Sequence, residues 1–369
     1  MKRIALVALF AAAGAYAMDA FIIPTVDLSK DDKARIIIDR ETGQYLGHVT
    51  TVLLDDRKTI IAVYPKGHGK GAIVMKRSTD GGKTWSDRLP TPENWSTSLE
   101  VPTIYKVTDP KSKKRRLLLF SGLYPARLAT SEDLGKTWTP LKPVGEWGGV
   151  VVMASLTQLP NGDCLAWFHD DGRFIGPENR GDGIFRLYQT RSRDGGLTWE
   201  HPRMLYKSSD VHLCEPGLVY SPDRVQMALL LRENKRVRNS HVIFSSDNGE
   251  TWTEPRELPR SLTGDRHTTG YLKDGRLFIS FRDMAKDSPT KGDWVAWVGT
   301  WDDIVKGRDG QLRLKLMDNL NDWDCAYPGV EVLRDGTVFT ATYGHWTKDE
   351  KPYIVGFRLK PEIFAPPHR

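Results

Sequence analysis

Ser78-Thr79-Asp80-Gly81-Gly82-Lys83-Thr84-Trp85 is the first of four segments that repeat the pattern S-x-D-x-G-x-T-W. The others are Ser131-Glu132-Asp133-Leu134-Gly135-Lys136-Thr137-Trp138, Ser192-Arg193-Asp194-Gly195-Gly196-Leu197-Thr198-Trp199 and Ser245-Ser246-Asp247-Asn248-Gly249-Glu250-Thr251-Trp252. Asp and Ser side chains can bond neighbouring backbone groups in a tight turn, Gly supplies a positive φ, and Trp can pin the turn against apolar neighbours. Each copy therefore reads as a strand, a turn and a strand. The four tryptophans fall 53, 61 and 53 residues apart. A period of that size holds one four-stranded antiparallel sheet, the blade of a β-propeller.

A second repeat sets the number of blades. Short β-rich runs flank turn signals at Asp55-Asp56-Arg57, Asp109-Pro110, Asn161-Gly162, Pro222-Asp223, Asp274-Gly275 and Asp335-Gly336, which predicts the first hairpin of each of six blades. Blades five and six keep the hairpin and lack a good box. The run Ala34 to Asp39 is expected as an outer strand beside Tyr353 to Leu359, closing the ring and leaving no central edge unpaired. The expectation is an all-β, six-bladed propeller in one domain, residues 18–369.

The chain has 369 residues, 39% apolar and 27% charged, enough for a sizeable core. Its formal net charge is +6, yet no Lys/Arg run interleaved with aromatic residues marks a nucleic-acid groove. Met1-Lys2-Arg3, the apolar stretch Ile4 to Ala13 and Ala15-Tyr16-Ala17 have the form of a cleavable leader over residues 1–17. Export to a periplasmic or extracellular space is expected. No later run is long and apolar enough for an integral membrane segment. Cys164, Cys214 and Cys325 allow at most one disulfide and have no zinc-ligand spacing. No metal or cofactor is expected, and the oligomeric state stays open.

The start of a hairpin's first strand and the end of its second lie at one end, opposite the turn. One axial face therefore collects two groups of residues. Preceding the first strands are His48, Glu100, Glu215, Arg266 with His267, and Tyr327. Following the second strands are Lys66 with His68, Tyr124 with Arg127, His169 with Asp170 and Asp171, Arg232 with Glu233, Arg282 with Asp283, and Tyr343 with His345. So many ionisable groups at one end predict a polar pocket on the propeller axis.

The four boxes resemble the Asp-box, or BNR repeat, of the sialidase (neuraminidase) superfamily, and their order resembles that fold throughout the mature region. The box itself is architectural and occurs in non-enzymes. Cys214-Glu215-Pro216-Gly217-Leu218-Val219, followed by Leu229-Leu230-Leu231-Arg232, resembles the sialidase segment in which a Glu begins one strand and an Arg ends the next. Cys325-Ala326-Tyr327-Pro328-Gly329 resembles the segment carrying the nucleophilic Tyr, and Leu277 to Arg282 lies where another Arg of a carboxylate-binding triad is expected. The resemblance implies an exo-acting glycosidase that removes a terminal sialic-acid-like or other acidic sugar from a glycan or glycoconjugate. In such a sugar the anomeric carbon carries a carboxylate, which a neutral phenol approaches without the repulsion a carboxylate nucleophile would meet. With an ordinary pKa near 10, Tyr327 needs Glu215 as its base. Arg232 and Arg282, with Arg266 as a third candidate, are expected to bind the substrate carboxylate. His48, His267, Glu100 and Lys66 are further candidate substrate contacts.

Two positions depart from the family. Leu46-Gly47-His48-Val49 stands where the first triad Arg belongs, and Pro65-Lys66-Gly67-His68-Gly69-Lys70-Gly71 has no carboxylate where the acid/base Asp belongs. Either His68 is the general acid, or Asp170, Asp171 or Asp283 substitutes, or the cup is a non-catalytic carbohydrate-binding propeller.

Overall fold

The structure, a computed structural model, describes residues 16–18, 23–176 and 181–365. The predicted leader lies outside the described residues except for Tyr16 and Ala17. Six sheets built on antiparallel hairpins stand round one axis, and each predicted first hairpin is present, from Thr50–Leu53 with Ile60–Pro65 to Gly329–Val332 with Val338–Gly344. The innermost strands touch in chain order round the ring, the last against the first. Closure follows the expected route, with Arg35–Asp39 pairing antiparallel to Tyr353–Leu359 as the outer strand of blade six.

The blades are less uniform than predicted. Blade one has three strands, because the chain after its box runs beside Ile73–Ser78 with only isolated bonds such as Leu89 N–H to Met75 O (2.8 Å). Blade five carries two extra strands: Pro24–Asp27 joins Leu312–Met317 in parallel, and Tyr16–Met18 pairs with Pro24–Asp27. Its one α-helix, Trp301–Lys306, starts from a Thr300/Asp303 capping box. Among the described residues no helix is long and apolar enough to cross a membrane.

Each box performs two jobs. In blade one, Ser78 Oγ accepts from Gly82 N–H (2.8 Å) and donates to Asp80 (2.8 Å), while Asp80 accepts from the Thr84 N–H (3.0 Å) and hydroxyl (2.7 Å). The other three boxes repeat this scheme around Asp133, Asp194 and Asp247. The box glycines also press against the preceding blade. A Cβ on Gly82, Gly135, Gly196 or Gly249 would meet Phe339, Ile61, Leu118 or Leu165 at 2.3–2.9 Å, so Gly is required there by close approach as well as by positive φ. Trp85, Trp199 and Trp252 contact Phe339, Phe120 and Trp167 of the preceding blades at ring separations of 5.6–5.8 Å. The boxes thereby clamp blade to blade far from the polar end.

These turns give the fold an acid limit. Partial burial would raise the Asp80 and Asp133 carboxyls, but Thr84 and Thr137 hold both at about 2, and the Thr251 hydrogen bond leads in holding Asp247 at about 2. A folded-state pKa below the unfolded one contributes stability above the unfolded value and loses it as pH falls through the folded one. The melting temperature should therefore drop between about pH 4 and pH 2. Asp133→Asn, which no longer titrates, should shrink that drop in melts followed by circular dichroism.

Candidate active site

The candidate side chains reach the axis through a recurring backbone device. His48, Glu215 and Arg266 open the inner strands of blades one, four and five with φ of 51°, 50° and 55°, and Ala326 before Tyr327 has φ 56°. The pairing registers of blades four and five slip at the same places, between Cys214 and Gly217 and between Asp265 and Thr268. Left-handed backbone at a non-glycine residue costs of order 1–2 kcal/mol. A bulge there turns a side chain that would lie along the sheet toward the propeller axis.

Tyr327 and Glu215, from blades six and four, meet on the axis. The buried Tyr327 hydroxyl donates to Glu215 Oε1 in a short hydrogen bond, and Arg232 Nη1 donates to the same oxygen (2.6 Å) and lies 3.4 Å from Tyr327 Oη. Burial would raise the Glu215 carboxyl, but the Arg232 charge, the Tyr327 hydrogen bond and His169 together hold Glu215 below the ordinary value. Burial and then the Glu215 charge push Tyr327 well above 10. The resting pair is a phenol hydrogen-bonded to a carboxylate.

Beneath this pair lies Asp265, fully buried and ringed by three guanidinium groups. Arg236 binds it bidentately (2.5 and 2.7 Å), Arg282 reaches it through Nε (2.8 Å) and Nη2, and Arg232 Nε stands 3.3 Å away. Burial opposes ionisation of Asp265, and the three arginines reverse that, holding it far below the carboxylate range. Arg282 Nη1 donates to Cys325 O (2.9 Å), and its guanidinium lies 6.0 Å from the Tyr327 ring centre.

Beside Tyr327 lies a cluster of rings around Asp324. Tyr45 (2.8 Å) and Tyr343 (3.1 Å) donate to Asp324 Oδ1, His345 Nε2 sits 2.9 Å from Oδ2, and His68 Nδ1 is 3.2 Å from Oδ1 and 2.8 Å from Tyr45 Oη. His48 packs edge-on to Tyr327 (ring centres 4.4 Å) and to His68 (4.7 Å). Burial holds His48 neutral, well below its ordinary pKa. Its Nδ1 accepts from Gly69 N–H (3.1 Å), so the proton is on Nε2, which faces Tyr343 Oη at 3.3 Å. On the loop between them, Gly69 backs Glu100, whose carboxyl accepts from Val101 N–H (2.8 Å) and which desolvation raises to about 7.

The other sequence candidates are committed elsewhere. Asp170 accepts from the N–H groups of Gly172, Arg173 and Phe174 and so closes its own loop, and Asp171 pairs with Arg173 (2.7 Å). Asp283 is wholly buried and saturated by Ser288, Thr290, Ala285 N–H and Arg313. None of the three is placed to protonate a ligand. His267 bonds Leu262 O (3.0 Å) and Lys66 pairs with Glu41 (3.2 Å). Arg266 is buried and donates to Ala154 O (2.7 Å) at a small axial cavity of about 190 Å³, separate from the Arg232, Arg236 and Arg282 group. All three cysteines are buried and unpaired.

Asp265, Asp324, Arg236 and Tyr45 did not emerge from the sequence. Asp265 directly precedes Arg266, and Asp324 lies three residues before Tyr327. An acidic residue just ahead of an axial side chain was the available signal, and it is indistinguishable in sequence from ordinary turn Asp.

Residues 104–340 match the BNR repeat-like domain family, and residues 76–87 match the BNR/Asp-box repeat. A sialidase of Clostridium perfringens is 26% identical over 238 residues, 59% of this chain and 49% of the relative, so the chain spans about half that protein's length. Among solved structures, a Dyadobacter fermentans protein of unknown function superposes with a TM-score of 0.68 at 16% identity, covering 89% of this chain and 98% of that one. The Hadza microbial sialidase Hz136 superposes with a TM-score of 0.62 at 16% identity, covering 86% and 66%. Taken with the six blades and the four boxes, these matches establish that the chain belongs to the BNR-repeat propellers of the sialidase superfamily.

Proposed function

We propose that the axial pocket is the active site of an exo-acting glycoside hydrolase of sialidase type, which removes a terminal acidic sugar with retention through a tyrosyl intermediate. One observation carries this: the Tyr327 hydroxyl and the Arg232 guanidinium converge on one oxygen of the buried Glu215. A phenol raised well above 10 is a poor nucleophile until its proton is taken. Glu215 takes that proton as Tyr327 Oη bonds to the anomeric carbon and the glycosidic C–O bond breaks. Arg232 donates to both partners, so it stabilises negative charge whichever of them holds it.

The departing oxygen receives a proton from His68. Nδ1 of His68 faces Asp324 and Tyr45, which leaves Nε2 as the nitrogen that can donate to the leaving oxygen. In the second step His68 takes a proton from water as that water attacks the anomeric carbon. Tyr327 then leaves with the proton held by Glu215. Two inversions give net retention.

The test is hydrolysis of aryl and natural glycosides of acidic sugars, with the anomer of the first-formed product read by NMR. Retention is expected, and inversion would overturn the tyrosyl intermediate. His68→Ala should slow a natural sugar linkage by about 10²-fold or more and an activated aryl glycoside by far less, because a general acid matters most for a basic leaving group. Glu100→Gln should affect both substrates alike, since the Glu100 carboxyl is held on the Val101 N–H. Equal slowing of both substrates by His68→Ala would remove His68 as the donor.

A further inference from the structure

The nitrogens that would be expected to clamp a carboxylate on the sugar's anomeric carbon are already in use. Arg282 is only 4% exposed, with Nε and Nη2 on Asp265 and Nη1 on Cys325 O. Arg232 spends Nη1 on Glu215 and Tyr327, and its Nε is buried 3.3 Å from Asp265 without a hydrogen bond and so closed to a ligand, leaving Nη2 alone. Arg236 is bound bidentately by the same carboxylate. His48 is neutral and has both ring nitrogens engaged. A carboxylate needs paired N–H donors to repay its desolvation. The floor beside Tyr327 has one guanidinium NH₂ to provide, next to two carboxylates, Glu215 and Asp265.

We infer that Asp265 is a resident carboxylate filling the arginine clamp, so that the sugar cleaved here carries hydrogen, not a carboxylate, on its anomeric carbon. The substrate is then an aldose-type glycoside, and its acidic class is a hexuronic acid, whose carboxylate sits across the ring on C5. This rests on the glycosidase assignment and narrows its substrate. It also supplies a reason for a tyrosine nucleophile that does not depend on the substrate. With Glu215 and Asp265 already ionised beneath the anomeric carbon, a carboxylate nucleophile would be a third anion in one buried site, whereas a phenol adds none.

The test uses the full chain and two sets of 4-methylumbelliferyl glycosides, the α-N-acetylneuraminide and a panel of hexuronides. At least one hexuronide should exceed the neuraminide by about a hundredfold or more in kcat/KM. Equal or faster cleavage of the neuraminide overturns the inference. A second arm needs no turnover: N-acetylneuraminic acid is titrated calorimetrically into the wild type and into Asp265→Asn. Asn keeps a hydrogen-bond acceptor but releases the charge of the clamp, so affinity should rise at least about tenfold. A folded Asp265→Asn that binds no better than wild type overturns the inference. If that variant does not fold, saturable wild-type binding of N-acetylneuraminic acid that Arg282→Lys abolishes overturns it, and its absence supports it. Should no glycoside of either set be cleaved, the glycosidase assignment fails, while the titrations still decide whether Asp265 fills the clamp.

Discussion

Tyr327→Phe is expected to reduce kcat on a cleavable glycoside by about 10³- to 10⁵-fold while leaving substrate affinity within a fewfold of wild type. The substitution removes one oxygen. The ring keeps its packing against His48 and Tyr343, with centres 4.4 and 6.3 Å away, and Glu215 keeps its ion pair with Arg232 at 2.6 Å. What is lost is the bond that would form to the anomeric carbon, an interaction made after binding, so the change belongs in kcat and not in KM. Single-turnover kinetics with a fluorogenic glycoside would read it. A loss smaller than tenfold would mean that Tyr327 makes no covalent bond, and the tyrosyl intermediate would have to be abandoned.

The second large effect falls on stability. Asp265→Ala should lower the free energy of unfolding by about 3–5 kcal/mol, the range for removing one partner of a buried ion pair. Asp265 is wholly buried and is the anion shared by Arg232, Arg236 and Arg282, whose side chains are 17%, 32% and 4% exposed. Without it, Arg282 is the worst placed, because Cys325 O is then its remaining hydrogen-bond acceptor. Thermal melts compared with those of Asp171→Ala would isolate the effect. Asp171 pairs with Arg173, half-exposed at 50%, and an ion pair of that kind contributes only about 0–1 kcal/mol. Equal melting temperatures for the two variants would show that the arginines find other partners.

Both effects converge on the same few residues, which has a consequence for engineering the site. Arg232 touches the Tyr327–Glu215 pair and the Asp265 cluster at once. Changing it alters the Glu215 charge and the buried ion cluster together, so it cannot report on ligand binding alone. Arg236, the most exposed of the three, is the better position for retuning charge at the pocket without disturbing Tyr327.

Much of the fold was legible because its signals are local. A box works through bonds spanning four residues, from Asp80 to Thr84 and likewise in each copy, and each first hairpin is announced by its own turn residues. Hairpin geometry places the ionisable side chains on one axial face, and the resemblance to sialidase segments singles out Tyr327, Glu215 and Arg232 among them. The shortfall in blade one and the additions to blade five were not legible. Whether a segment docks as a fourth strand depends on the edge it meets, and Pro24–Asp27 finds its partner Leu312–Met317 almost three hundred residues away.

By itself, the sequence determined the propeller, its six blades and the face on which ionisable side chains gather, while the family resemblance added the Tyr327, Glu215 and Arg232 constellation within that face. The propeller, the blade count and the polar face rest on a period, a turn or a strand end. Tertiary structure alone decided which carboxylates face the pocket. Asp170, Asp171 and Asp283 share the sequence environment of an axial residue, yet they turn into backbone or ion-pair contacts, while Asp265 and Asp324, unremarkable as letters, become the two anionic hubs. The physical reason is that a buried charge settles where it can gather the most compensating donors. That count is taken over blades one, four, five and six together, and no single stretch of chain contains it.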